Sequence, residues 1–144
     1  MNSLKVIISI LCAIIIFSCW FVFVNHLVPT SVSKLLNISG IRTYGYHGKV
    51  IYHHYWMDIL GYTDGDELLI IPCTIIADID DYDWTFEKTY LSSFRSEPFP
   101  NISNDIWNEE YNQYVSFLHG EDQYTILLSK VYCAIYRVHD RSIY

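Results

Sequence analysis

Residues 67–79 read ELLIIPCTIIADI, the most hydrophobic stretch of the chain beyond its N-terminal segment. Their length and their Leu/Ile content predict a central β-strand. Pro72 has no N–H to give to a ladder, so the strand is expected to bend, bulge or run at an edge there. Upstream, residues 41–44 and 49–59 are β-branched and aromatic, and Gly45, Tyr46, His47 and Gly48 supply the turn between them. Asp64-Gly65 is a second hairpin signal, because glycine tolerates positive φ.

Downstream the periodicity becomes helical. Asp83 is placed to cap a helix over residues 84–95, in which Phe86, Tyr90, Leu91 and Phe94 recur at helical spacing. Pro98 and Pro100 then make a loop. Asn104 or Asp105 begins a second helix with the stripe Trp107, Tyr111, Tyr114, Val115 and Leu118, and Gly120 stands where a terminating glycine belongs. Residues 124–138 read as a last strand. The resulting order predicts an α+β domain, a mostly antiparallel sheet with about two helices on one face.

Ahead of this domain, residues 6–24 read VIISILCAIIIFSCWFVFV, without charge, Pro or Gly. At about 1.5 Å per residue they reach roughly 28 Å, close to the hydrocarbon thickness of a bilayer. In lipid such a segment must be helical, since open backbone groups find no partner there. Trp20, Phe21 and Phe23 sit where aromatic rings favour the interface. A cleaved secretory signal is the competing reading, but its apolar region is usually shorter and ends in small residues, unlike Asn25-His26-Leu27-Val28-Pro29. The expected organisation is a membrane anchor (residues 1–24), a juxtamembrane stem (25–38) and one acidic α+β domain (39–144). Lys5 precedes the anchor and the first basic residue after it is Lys34, which favours a cytoplasmic N-terminus and an exported domain. Lateral association of the helix through Ser9, Ala13 and Ser18 is a further way the anchor itself could act.

The formal charge is −7, which argues against binding to nucleic acid and against adhesion to anionic headgroups. Outside the anchor, Cys73 and Cys133 are the pair open to a disulfide in an exported domain. The alternative is two reduced thiols packed as small hydrophobes. Asn37 and Asn101 each begin an N-x-S sequon in an expected loop, which matters only where glycosylation machinery exists.

Two constellations could carry metal or acid–base chemistry. Asp78, Asp80, Asp81 and Asp83 form a dense acidic turn, with oxygen ligands that suit hard cations. Counted as an EF-hand loop from Asp78, however, it has Asp83 where Gly is needed and Thr89 where Glu is needed. A solvated turn that favours the next helix is the simpler reading. His47, His53, His54 and Asp58 bring imidazole and carboxylate together, as zinc or copper requires. Yet His53 and His54 are adjacent and must face opposite sides of a strand, and His54 lies about 13 Å from Asp58 along one. Glu109 and Glu110, adjacent on the expected helix, diverge rather than pair. There is no G-x-S-x-G elbow, nucleotide loop or H-E-x-x-H.

No catalytic, cofactor or metal residue is therefore assigned. The chain is expected to be a membrane-tethered, non-enzymatic extracytoplasmic module that binds or modulates another envelope or surface protein. Its aromatic content of 17%, with 13 Tyr, suits such contacts. The alternative is a small metal-binding or hydrolytic exported domain using the His47/His53/His54 strand or the turn from Asp78 to Asp83.

Overall fold

A computed structural model of the chain describes residues 2–22, 30–45, 51–57 and 63–139. The architecture is α+β. Strand β3 (Thr63–Pro72) is its spine, pairing antiparallel with β2 (Ile51–Met57) on one side and β7 (Tyr132–His139) on the other. With β6 (Asp122–Leu128) and β5 (Gln113–His119) they form a five-stranded antiparallel sheet in the order β2-β3-β7-β6-β5.

Leu68, Leu69, Ile70 and Ile71 are consecutive and all buried. A strand can bury every side chain only if both faces of its sheet are covered. On one face Leu69, Ile71, Ile126, Cys133 and Ile135 pack under Leu35 and Ile41. On the other, Leu68, Ile70, Leu127 and Ala134 pack under Leu91, Phe99 and Tyr111. Each fully buried Leu or Ile contributes roughly 1.5–3 kcal/mol relative to exposure.

The stretch expected to be one strand is two. β3 ends at Pro72, the chain makes a 3-10 turn over Cys73–Ile75, and β4 (Ile76–Ile79) then joins β1 (Ile41–Thr43) in a separate two-stranded sheet. The bend expected at Pro72 takes the form of an end to the ladder and a change of sheet. β1 consequently pairs with β4 and not with the strand that follows it. Asp64 and Gly65 lie within β3, opposite Trp56 and Tyr55, so the connection from β2 to β3 falls at residues 58–62, outside the described residues.

Part of the expected stem is core. Helix α2 (Val32–Ile38) is capped by Ser31, whose Oγ accepts from the Lys34 N–H at 3.3 Å, and it buries Leu35 completely. Val32, Leu36 and Ile38 pack beside it. This is the spacing of an amphipathic helix, which the punctuation by Ser and Pro obscures.

Neither long helix of the second half forms. Residues 84–95 run beside the sheet edge, with Thr85 bridged to Tyr114 and Thr89 to Tyr111, and only a 3-10 turn at Leu91–Ser93. Helix α3 (Asn104–Trp107) is a single turn, capped by Ser103 and not by Asn104 or Asp105, and β5 follows. Gly120, at φ 65°, closes the hairpin from β5 to β6, where His119 faces Asp122. Positive φ at the first of two turn residues is the type II′ pattern, for which glycine is the usual residue. The expected last strand is likewise a hairpin, turned at Ser129, whose Oγ accepts from the N–H groups of Val131 and Tyr132.

Helix α1 (Asn2–Val22) carries the N-terminal apolar run, and the Ser9 hydroxyl donates back to the Lys5 carbonyl at 2.9 Å. Among the described residues no helix is long and apolar enough to cross a membrane. The side chains described in α1 extend from Lys5 to Trp20, about 24 Å of helix.

Candidate functional site

The most concentrated chemistry lies on β3 in two residues that sequence reading passed over. Asp66 and Glu67 are adjacent, so their side chains leave opposite faces of the sheet. Both are buried. Buried carboxylates persist only when paired and hydrogen-bonded, and each has recruited its own partners.

On the first face, Asp66 Oδ2 accepts from Arg95 Nε at 2.6 Å and from the Tyr136 hydroxyl at 2.9 Å. The Arg95 guanidinium lies 4.2 Å above the Phe99 ring and also donates to the Glu97 carbonyl. Burial, then the Asp66 charge, pushes the Tyr136 hydroxyl well above its ordinary range. Asp66 Oδ1 is buried without a hydrogen bond, 3.9 Å from Nδ1 of His54, which is half exposed.

On the second face, Glu67 accepts from the Thr30 backbone N–H at 2.6 Å and from Arg137 Nη1 at 2.9 Å. Arg137 Nε continues to Asp122 Oδ2 at 2.9 Å, and Asp122 Oδ1 lies 2.6 Å from His139 Nδ1. Burial works against the charge on Arg137, but the Asp122 hydrogen bond and the Glu67 charge outweigh it and hold the proton more firmly than usual. These contacts turn both arginines inward, toward carboxylates. The signal in the sequence was the charge itself, since Asp66 and Glu67 abut, and Arg137 interrupts, runs otherwise fit for a core.

The residues singled out from sequence are dispersed. His53 and His54 are exposed on β2, opposite Glu67 and Asp66 respectively, and so on opposite faces as adjacent strand residues must be. His47 and Asp58 lie outside the described residues. In the acidic turn, Asp78 and Asp80 both pair with Arg42, with Asp80 at 3.3 Å, while Asp81 and Asp83 are exposed and no helix follows. The Arg42 hydrogen bond holds the Asp78 carboxyl below its usual range. Among the described residues no group of three or more His, Cys, Asp or Glu is arranged to hold a metal. Glu110 is tied to Lys88 at 2.9 Å and accepts from the Tyr90 hydroxyl at 3.2 Å.

Cys73 and Cys133 are free thiols on the Glu67 side of the sheet, in the core under Leu35 and Ile41, with Cys133 fully buried. Cys73 Sγ donates to the Ser129 carbonyl at 3.4 Å. Asn37 is exposed on α2 rather than in a loop, and Asn101 is exposed in a turn with φ 65°.

Beside β5 the aromatic residues gather. Phe117 stacks on Tyr82 at 5.4 Å and on Tyr124 at 5.6 Å, and Trp84 meets Tyr82 edge-on. Two large apolar side chains close to this stack in the chain stay in water, Phe86 at 76% exposure and Leu118 at 60%. No family model, curated protein or solved structure matches the chain, so its function is argued from its own residues.

Proposed function

We propose that the chain is a single-pass membrane protein with a cytoplasmic N-terminus, whose domain outside the membrane binds or modulates another surface protein without performing chemistry. The observation that carries this reading is the exposure of α1. Every large apolar side chain described there, from Val6 to Trp20, is more than half exposed, an arrangement that water penalises and lipid rewards. Residues 21–24 (FVFV) prolong the apolar run in the sequence. Lys5 before the helix favours the outward orientation. Binding rather than catalysis is supported by the inward use of Arg95 and Arg137 and by the exposed Phe86 and Leu118.

The test is alkaline extraction of membranes combined with a topology reporter at the C-terminus. Retention in the pellet with the reporter outside is the expected result; release into the supernatant, or a reporter inside, would overturn the reading. The hydrolytic or metal-binding alternative draws on one observation, the unsatisfied Asp66 Oδ1 beside His54. Stoichiometric metal surviving dialysis of the purified protein would favour it.

A further inference from the structure

β5 is an edge strand whose inner side pairs with β6 along its whole length, from Gln113 opposite Leu128 to His119 opposite Asp122. On its outer side Tyr114 exchanges two backbone hydrogen bonds with Thr85, at 2.8 and 3.0 Å. Inward and outward backbone groups alternate along an antiparallel strand, so the N–H and C=O of Ser116 and Leu118 point outward as those of Tyr114 do. Among the described residues no strand or bridge pairs with them. The segment before Thr85 does not continue along the edge, because Tyr82 turns onto the sheet face to stack on Phe117. The second half of β5 is thus an open template that carries the exposed Leu118, while the exposed Phe86 lies past Thr85 toward the bridged end.

We propose that this open half of β5 takes up an extended, basic segment of a partner protein as an added strand. The inference rests on the protein-binding reading and specifies its site and chemistry. Main-chain pairing would supply affinity, and alternate side chains would select the partner. The charge of the rim decides the kind of partner. Asp81 and Asp83 precede the bridge, Glu87 follows it and Glu121 lies in the hairpin turn, all exposed. Of the basic residues nearest in the chain, Lys88 pairs with Glu110 and Arg95 with Asp66, while Lys130 is exposed in the turn after β6, at the bridged end of β5 and not at its open half. A second copy of β5 would bring the same carboxylates against themselves, whereas a Lys- or Arg-bearing strand would be attracted.

The test uses the full chain in detergent micelles with a synthetic peptide of alternating Lys and Val, read by fluorescence anisotropy and amide hydrogen exchange. The expected result is slowed exchange at the Ser116 and Leu118 amides, with a counterpart of alternating Glu and Val giving no protection. Leu118→Pro deletes an outward N–H without taking a bond from β6, and it should weaken binding about tenfold, the value of roughly one backbone hydrogen bond. Asp81→Asn with Asp83→Asn, both at the surface, should weaken the Lys peptide and flatten its salt dependence. Unchanged exchange at Ser116 and Leu118 would overturn the proposal, even if a partner protein cross-links elsewhere on the domain. Protection that grows with protein concentration alone would also overturn it, in favour of a second copy. Neither outcome bears on membrane retention, which extraction tests separately.

Discussion

Asp66 and Glu67 follow one another in β3, yet their carboxylates are neutralised on opposite faces of one sheet by arginines from different parts of the chain. Arg95 reaches Asp66 from the irregular segment over one face, and Arg137 reaches Glu67 from the neighbouring strand β7. The pair pins both covering layers to the spine. Thr30, just ahead of α2, is tied to Glu67, and the 3-10 turn at Leu91–Ser93 is followed by Arg95.

Arg95→Met should be strongly destabilising, because it leaves the buried Asp66 carboxylate with the Tyr136 hydroxyl as its hydrogen-bond donor and the half-exposed His54 at 3.9 Å. Removing one partner of a buried pair costs about 3–5 kcal/mol. Adding Asp66→Asn should recover much of that loss. Urea denaturation of the single and double variants measures both, and a loss of less than about 1 kcal/mol for Arg95→Met would mean that the pair behaves as a surface ion pair.

Gly40 adopts φ 55°, and a methyl group there would overlap the Asp80 carboxylate. The Asp80 N–H also donates to the Gly40 carbonyl at 3.0 Å, so the two segments meet closely where β1 joins β4. Gly40→Ala should cost about 1–2 kcal/mol for the left-handed backbone, plus the displacement of Asp80. Asp80→Ala in the same chain should relieve only the second part. Thermal melts of the three variants separate the two contributions; full rescue by Asp80→Ala would show that the backbone conformation carries no cost.

Stability should fall on the alkaline side. Burial pushes the Tyr124 hydroxyl up to about 12 and raises Tyr111, Tyr136 and the Cys133 thiol above their ordinary ranges. An acid whose folded pKa is raised contributes stability below its unfolded pKa and loses it as pH rises through the folded value. The unfolded values are 9.0 for Cys and 10.0 for Tyr, so the loss should begin near pH 9 and steepen toward 12. Denaturation midpoints from pH 7 to 11 check this, and Tyr124→Phe should reduce the slope; a flat profile would reject it.

What misled the reading of the second half was the two-sided burial that makes the domain stable. Tyr111, Tyr114, Val115 and Leu118 fall at helical spacing, yet Gln113–His119 is β5. Phe117 stacks on one face, while Tyr114 packs against Phe94 on the other. With apolar neighbours on both sides, period-two alternation disappears and the helical template fits by default. Ser103 could have warned of a short helix, since its hydroxyl caps a single turn. The candidate site was less legible. His53 and His54 were visible as types, but the partners that give β2 and β3 their chemistry are distant in sequence, Arg95 and Arg137 above all.

By itself the sequence determined the local events: an uncharged apolar run at the N-terminus, a break in regular strand geometry at Pro72, and the end of a regular element at Gly120. These depend on a missing N–H, a missing Cβ or the side chains of one short segment, and neighbours cannot change them. Only the tertiary structure decided which strand pairs with which, that α2 belongs to the core, and that Asp66 and Glu67 are buried ions rather than a surface step before an apolar strand. Those outcomes are set by contacts between residues far apart in the chain, whose free energy appears only once both faces of the sheet are closed.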